Sequence, residues 1–367
     1  MRRPVFLICL VSIAAITASG ARAEVSIEEL IDEANLAEGP VAARDLKGWR
    51  MPEKMVVRDV LGIAQRLQAA YPETQIIGVS TLAAAATQAA DADAVIGFCN
   101  DDIVAAARDL VWIQIFSAGS ERCLAVDKVG NGDILLTNMQ KMSSPVIGEH
   151  AVAMMMSLAR GLVPYAKLMR SGAWERGLAR SGGTITLAGK TVLIAGLGGI
   201  GTAVARRAHG LRMQVIATRN SSRSGPDFVD YVGLSDELLE LAARADVVVN
   251  ALPLTAKTTN LFNRAFFDAV KPGALFINVG RGGSVVTEEL VAALSDGRIG
   301  GAGLDVTAPE PLPADHALWQ MNNVIITPHV AASGSERDHY GVLIEENVRR
   351  FVAGDKLLNV VDPAKGY

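Results

Sequence analysis

The chain has 367 residues, half of them hydrophobic and 20% charged, with a formal net charge of −4. That mild acidity gives no electrostatic case for nucleic acid or an anionic lipid surface as a partner. Three cysteines are too few for a disulfide framework.

In chain order, Met1-Arg2-Arg3, an apolar run from Val5 to Ala18 and Ala21-Arg22-Ala23 together form a cleavable signal peptide over residues 1–23. The run is shorter than the roughly 18 to 20 residues that cross a bilayer, so no stable membrane span is expected after processing. The expected location is periplasmic or secreted, and cytoplasmic if the signal is not used. About 340 residues remain, enough for two domains. Cys99 and Cys123 read as two buried small side chains, with a single bridge open only to an exported chain.

From Glu24 to about Lys54 the chain is polar and Pro/Gly-punctuated and reads as an irregular arm. Beyond it, strands are expected at Gln75–Val79, Ala94–Gly97, Trp112–Phe116 and Ile134–Thr137, with helices near Val57–Ala70, Leu82–Ala90 and Asp102–Asp109. That alternation predicts a parallel sheet covered on both faces. After a long apolar helix, roughly Val146–Leu162, six more strands are expected: Thr191–Ala195, Gln214–Ala217, Val247–Val249, Ala274–Val279, Gly303–Val306 and Val324–Ile326. Six suit a doubly wound, dinucleotide-binding α/β fold. A final helix is expected over Glu336–Val352.

Gly196-Leu197-Gly198-Gly199-Ile200-Gly201 follows the strand Thr191–Ala195 and precedes the helical run Thr202–His209, the context a dinucleotide-binding turn requires. Gly196 makes the turn, Gly198 admits the pyrophosphate, and Gly201 lets helix and strand pack closely. The helix N-terminus, including Gly199 and Ile200, offers N–H groups to phosphate. At the end of the next strand, where an acid normally takes the ribose hydroxyls, stand Thr218, Arg219, Asn220 and Ser221, with Ser222 and Arg223 close by. A guanidinium and hydroxyls suit a 2′-phosphate, so NADP is expected in preference to NAD.

Three further segments carry chemistry. Arg281 follows an apolar strand into glycines and can pair with a substrate carboxylate and polarise the adjacent carbonyl. Glu310 lies on a Pro-flanked loop, and His329 closes Ile326-Thr-Pro-His329. A carboxylate bonded to an imidazole stabilises the imidazolium, which can protonate a carbonyl oxygen as hydride arrives. His150, His209, His316 and His339 lack second partners and read as structural, so no metal is expected.

Gly196–Gly201, Leu252-Pro-Leu-Thr255, Asn278-Val-Gly-Arg-Gly282, Asp305-Val with Glu310-Pro-Leu-Pro313, and Thr327-Pro-His329 match, in order, the patterns of the D-isomer-specific 2-hydroxyacid dehydrogenases. The chain resembles that family from about Gln75 to about Val352. The resemblance implies that Arg281, Glu310 and His329 are catalytic, that Asp305 holds the nicotinamide carboxamide, and that Leu252 and Pro253 wall the adenosine. It implies that amides of Ser117-Ala118-Gly119 grip the substrate carboxylate beside Arg281. It also implies a Rossmann NAD(P)-binding domain (143–332) inserted into a flavodoxin-like substrate domain (24–142 plus 333–367), and a homodimer.

Departures from the pattern are the signal peptide and arm, Ser120-Glu121-Arg122 after the carboxylate loop, and Lys141 in place of a glycine. The expected activity is reduction of small 2-oxo acids such as glyoxylate or hydroxypyruvate to D-2-hydroxy acids. Two alternatives keep the fold: a non-catalytic nucleotide-sensing or protein-binding module, and a dehydrogenase of another oxyanion such as phosphite.

Overall fold

The computed structural model describes residues 25–60, 62–177, 184–335 and 337–366, so the expected signal peptide lies outside the described residues. The segment expected to be an irregular arm is instead folded. Ser26 and Glu29 form a reciprocal capping box that starts the helix Ile27–Ala34. Strand β1, Glu38–Ala42, then pairs antiparallel with the C-terminal strand Lys356–Leu358. Leu30, Leu36 and Ala43 are buried by these contacts. The segment's polarity hid a fixed structure because only these few apolar side chains anchor it.

The first large sheet contains β2 (Lys54–Arg58), β3 (Gln75–Val79), β4 (Ala94–Ile96), β5 (Trp112–Gln114) and β6 (Leu135–Thr137), all parallel, in the order β3-β2-β4-β5-β6. Strand β2 corrects the expected helix Val57–Ala70, which begins only at Ile63. Met55, Val56 and Val57 are fully buried in the middle of the sheet, and an apolar run this short carries no period that separates strand from helix. The order reverses between β2 and β4, as a doubly wound sheet requires.

The second sheet contains β7 (Thr191–Ala195), β8 (Gln214–Arg219), β9 (Tyr231–Leu234), β10 (Val247–Asn250), β11 (Ala274–Asn278), β12 (Ile299–Leu304) and β13 (Val324–Ile326). Its order is β13-β12-β11-β10-β7-β8-β9, again all parallel. Seven strands replace the six expected. The addition, β9, is a four-residue edge strand with Gly233 inside it, too short to show alternation. The strand expected at Gly303–Val306 starts earlier, at Ile299, since Gly300, Gly301 and Gly303 diluted its apolar signal.

On one face of this sheet Phe276 of β11 interlocks with the rings of Phe262, Phe266 and Phe267, with centroids 4.8 to 6.3 Å apart. On the other face lies the helix Ser144–Ala159, burying Ala151, Met154 and Met155. It ends before the expected Leu162 because Gly161 turns left-handed, and a second helix, Leu162–Arg170, leaves at 72°. Among the described residues no single helix is long and apolar enough to cross a membrane.

The last helix, Arg337–Ala353, returns to the first sheet, where Phe351 meets the Trp112 ring at 5.0 Å. Fully buried Asn347 donates to Gln114 Oε1 and Leu358 O and accepts from Leu358 N, tying helix, β5 and the final strand β14 (Lys356–Leu358) together. Cys99 and Cys123 are joined by a disulfide rather than being the separate thiols that were favoured. Their Cα atoms stand 5.6 Å apart, a relation that sequence spacing does not reveal.

Candidate active site

Parallel strands place all their C-terminal ends on one edge, where ligands bind in open α/β sheets. Arg281 follows β11, Asp305 and Glu310 follow β12, and His329 follows β13. These strands are neighbours in register, with Asn278 beside Leu304 and Leu304 beside Ile326. The outer two are roughly 10 Å apart at the strand spacing. The glycine turn after β7 opens on the same edge, next to the point where the strand order reverses.

His329 and Glu310 meet directly: Nδ1 lies 3.0 Å from Glu310 Oε2, both side chains being partly exposed. Glu310 is held in turn by the Thr307 amide, 3.0 Å from Oε1. With Nδ1 on the carboxylate, Nε2 is the ring nitrogen left to face a substrate. His329 has a left-handed backbone, φ +54°, fixed by its amide bonding to Asp305 O at 2.8 Å.

The carboxylate of Asp305 is buried and accepts from Thr327 Oγ1 (2.6 Å), Val330 N and Ala331 N (both 2.9 Å). It therefore clamps the turn that carries His329. His150, which read as merely structural, reaches the same cluster from the helix Ser144–Ala159: its Nε2 lies 2.9 Å from Thr327 Oγ1 and 3.6 Å from Asp305. Nothing in the local sequence ties position 150 to position 327, and only helix packing joins them.

A buried asparagine pair at the ends of β10 and β11 sets the Arg281 loop. Asn250 Nδ2 donates to Asn278 Oδ1 (2.9 Å) and to Ser284 Oγ (2.8 Å), and Ser284 Oγ donates to Arg281 O at 2.7 Å. Asn250 Oδ1 accepts from Leu252 N, so one side chain fixes both the Arg281 loop and the Leu252-Pro253 wall.

Across the cleft, the Ser117-Ala118-Gly119 loop follows β5. Ser117 O accepts from Met139 N, Ala118 O from Asn138 Nδ2 at 2.7 Å, and Gly119 O from Ser117 Oγ at 2.8 Å. Because each peptide is planar and trans, the amides of Ala118, Gly119 and Ser120 point the opposite way from these satisfied carbonyls. Gly119 touches the arginine: a Cβ there would collide with Arg281 Nη2. Glu121, absent from the expected site, pairs with Arg281 Nε at 3.0 Å.

The turn fits a dinucleotide. Gly196 adopts φ +94°, and a side chain on Gly201 would strike Gly196 O, so helix and strand meet as closely as the motif demands. Among the described residues, none beyond the chain neighbours of Gly198 comes within 4 Å of where its Cβ would stand, and no side chain caps the helix Gly199–Gly210. Ser144 Oγ is buried with no hydrogen-bond partner among the described residues, 2.6 Å from the position of a Gly199 Cβ. Open backbone, an uncapped helix N-terminus and an unpaired hydroxyl together suit a pyrophosphate.

The expected 2′-phosphate cluster is only partly assembled. Thr218 is buried and its Oγ1 accepts from Gly196 N at 3.3 Å, so it supports the turn. Arg219 is anchored to Ser224 O through Nη1 at 2.8 Å, Asn220 and Ser221 are exposed beside it, and the strand end carries no acid. Arg223 is drawn away to Tyr231 and to Glu237, 2.7 Å from its Nη2. That hydrogen bond, with those of the Leu234 amide and the Tyr231 hydroxyl, holds the Glu237 carboxyl at about 2.

Lys141 occupies a left-handed position, φ +72°, as a glycine would, and reaches Asn35 O in the N-terminal segment. Burial pushes its ammonium down from the usual lysine range. Among the described residues no group of three or more His, Cys, Asp or Glu is arranged to hold a metal ion.

Residues 152–331 match the model of the D-isomer specific 2-hydroxyacid dehydrogenase NAD-binding domain. The chain is 42% identical over 179 residues to an uncharacterized protein of Corynebacterium melassecola, covering 48% of this chain and 59% of that protein, less than two thirds of its length. It is 35% identical over 243 residues to glyoxylate/hydroxypyruvate reductase B of Enterobacter sp. (strain 638), covering 65% of this chain and 74% of that protein. Among solved structures, the NADPH-dependent glyoxylate/hydroxypyruvate reductase of Sinorhizobium meliloti, in complex with NADP and sulfate, superposes with a TM-score of 0.74. That similarity is 28% identical and covers 86% of this chain and all of the other.

Proposed function

From the premise that the chain belongs to the D-isomer specific 2-hydroxyacid dehydrogenase family and is an NAD(P)-dependent oxidoreductase, we propose that it reduces small 2-oxo acids, of the glyoxylate or hydroxypyruvate kind, to D-2-hydroxy acids. The single observation that carries this reading is the Glu310–His329 pair standing on the same sheet edge as Arg281 and the glycine turn.

The nicotinamide cofactor, when bound, supplies the hydride. Gly196, Gly198, Gly199, Ile200, Gly201 and Ser144 would hold its pyrophosphate, with Leu252 and Pro253 against the adenosine. In the proposed division of the chain, residues 24–142 and 333–367 bind substrate and residues 143–332 bind cofactor. Arg281 and the amides facing it across the cleft hold the substrate carboxylate, and the guanidinium withdraws charge from the neighbouring carbonyl. His329 delivers its Nε2 proton to the carbonyl oxygen as that oxygen gains charge. Glu310 keeps the ring oriented through its bond to Nδ1 and faces the positive charge of the imidazolium that donates the proton. Ordering of the turn by Asp305 sets where Nε2 points.

NADP is the proposed preference, supported by Arg219 and by the missing acid at the end of β8. Export is supported by the Cys99–Cys123 bridge, since structural disulfides persist in oxidising compartments. A homodimer is supported by the large apolar side chains that Leu162, Met169 and Trp174 expose within one short segment; Trp174 is 89% exposed.

The test is oxidation of NADPH and NADH by the purified chain across several 2-oxo acids. Turnover is expected with at least one acid, faster with NADPH, and about 10² to 10⁴-fold slower for His329→Ala. Equal rates in that variant would sink the mechanism, and a preference for NADH would sink the cofactor assignment.

A further inference from the structure

We propose that Glu121 is a specificity-determining residue that restricts the site to acids carrying a single negative charge; this deepens, and rests on, the 2-oxo acid reductase reading. Glu121 binds Arg281 Nε at 3.0 Å while Arg281 Nη1 donates to Gly280 O at 2.8 Å. The remaining nitrogen, Nη2, faces Gly119. The arginine thus meets its substrate with one edge already neutralised and with only its Nη2 side toward the carboxylate loop. Glu121 Oε2 lies 2.7 Å from where a Gly119 Cβ would stand, so its charge borders the same space.

The carboxylate is held there. Its helix, Glu121–Leu124, is tied at Cys123 by the disulfide to Cys99, and the preceding Ser120 Oγ donates to Gly366 O at 3.0 Å. With His329 protonated for reduction, Arg281 and His329 are balanced by Glu121 and Glu310. One substrate carboxylate leaves a single excess negative charge among these groups, and a dicarboxylate or phosphorylated acid leaves at least two. In a partly desolvated cleft, a like charge a few ångströms away weakens binding by about tenfold or more. The chemistry selected is a monoanionic 2-oxo acid with a neutral substituent. Another cation at this end of the first sheet is Arg58, whose guanidinium lies 5.5 Å from the Phe98 ring centre.

Oxamate and oxalate test this, being nearly isosteric and differing by one charge. Calorimetric titration of the full chain with NADPH bound is expected to show oxamate binding about tenfold or more tighter than oxalate. Glu121→Gln is expected to erase about tenfold of that ratio, chiefly by tightening oxalate, and Glu121→Asp to restore it. The inference is overturned by a ratio unchanged in Glu121→Gln, by an oxalate preference in the unmodified chain, as a substrate-facing Arg58 would produce, or by neither anion binding. Failure of the reductase reading is separate: no 2-oxo acid is turned over, while the oxamate to oxalate ratio still reports on Glu121.

Discussion

Asp305 accepts hydrogen bonds from Thr327 and from the Val330 and Ala331 amides, and family resemblance assigns the same residue to the nicotinamide carboxamide. The two roles separate in Asp305→Asn. An asparagine offers one acceptor oxygen where two are in use and turns an NH₂ toward a backbone donor, at a cost of about 1 to 3 kcal/mol for the unsatisfied group. Denaturant unfolding of the cofactor-free chain is expected to show that loss together with slower turnover. Unchanged stability with weakened NADPH binding would instead assign Asp305 to the cofactor alone. At this scale the sequence was readable where a residue sits in its own backbone signal. Arg281 between glycines, Glu310 between prolines and His329 after Thr-Pro are marked by the turns that carry them. Glu121 and His150 carry no such mark, since their partners lie 160 and 177 positions away.

Among the elements, the strands that carry the site were visible as buried apolar runs ending in glycine or proline, and β7, β10, β11 and β13 stand close to where the sequence put them. Two strands missed within the large sheets, β2 and β9, are a five-residue run with no distinguishing period and a four-residue edge. Tertiary burial decides both, because pairing partners supply the hydrogen bonds that a short segment cannot specify alone. The short helix Glu121–Leu124 likewise has too few residues to be stable by itself. Its disulfide closes a separation of 24 residues, for which loop-closure entropy gives about 3.5 kcal/mol. Replacing Cys99 and Cys123 together by alanine is expected to lower unfolding free energy by about that amount and to raise KM more than it lowers kcat, because Glu121 and the carboxylate loop lose their tether. An unchanged KM in the double variant would separate the bridge from the substrate loop.

At the scale of the whole molecule, the C-terminal helix returns to the first sheet and the tail reaches both halves: Gly366 O accepts from Ser120 Oγ, and the position of a Gly366 Cβ is 3.5 Å from the Thr255 methyl group. Export and assembly belong to this scale and share one experiment. Expressed with its own leader and fractionated, the protein is expected in the periplasm, with a light-scattering mass of twice the chain. Trp174→Ser is expected to shift it toward monomer, since loss of a buried tryptophan side chain weakens such an interface by about 2 kcal/mol or more. Retention in the cytoplasm refutes export, and a monomeric mass for the unmodified chain refutes the dimer. By itself the sequence determined the α/β class, the dinucleotide turn and the order of Arg281, Glu310 and His329 along strand ends, because glycine, proline and apolar runs act on the backbone within a few residues. Only the tertiary structure decided that the polar N-terminal segment is folded, that Cys99 meets Cys123, that Asp305 holds the histidine turn, and that Glu121 faces Arg281. Those relations join distant positions through packing, and no local propensity encodes which distant side chain fills the space opposite.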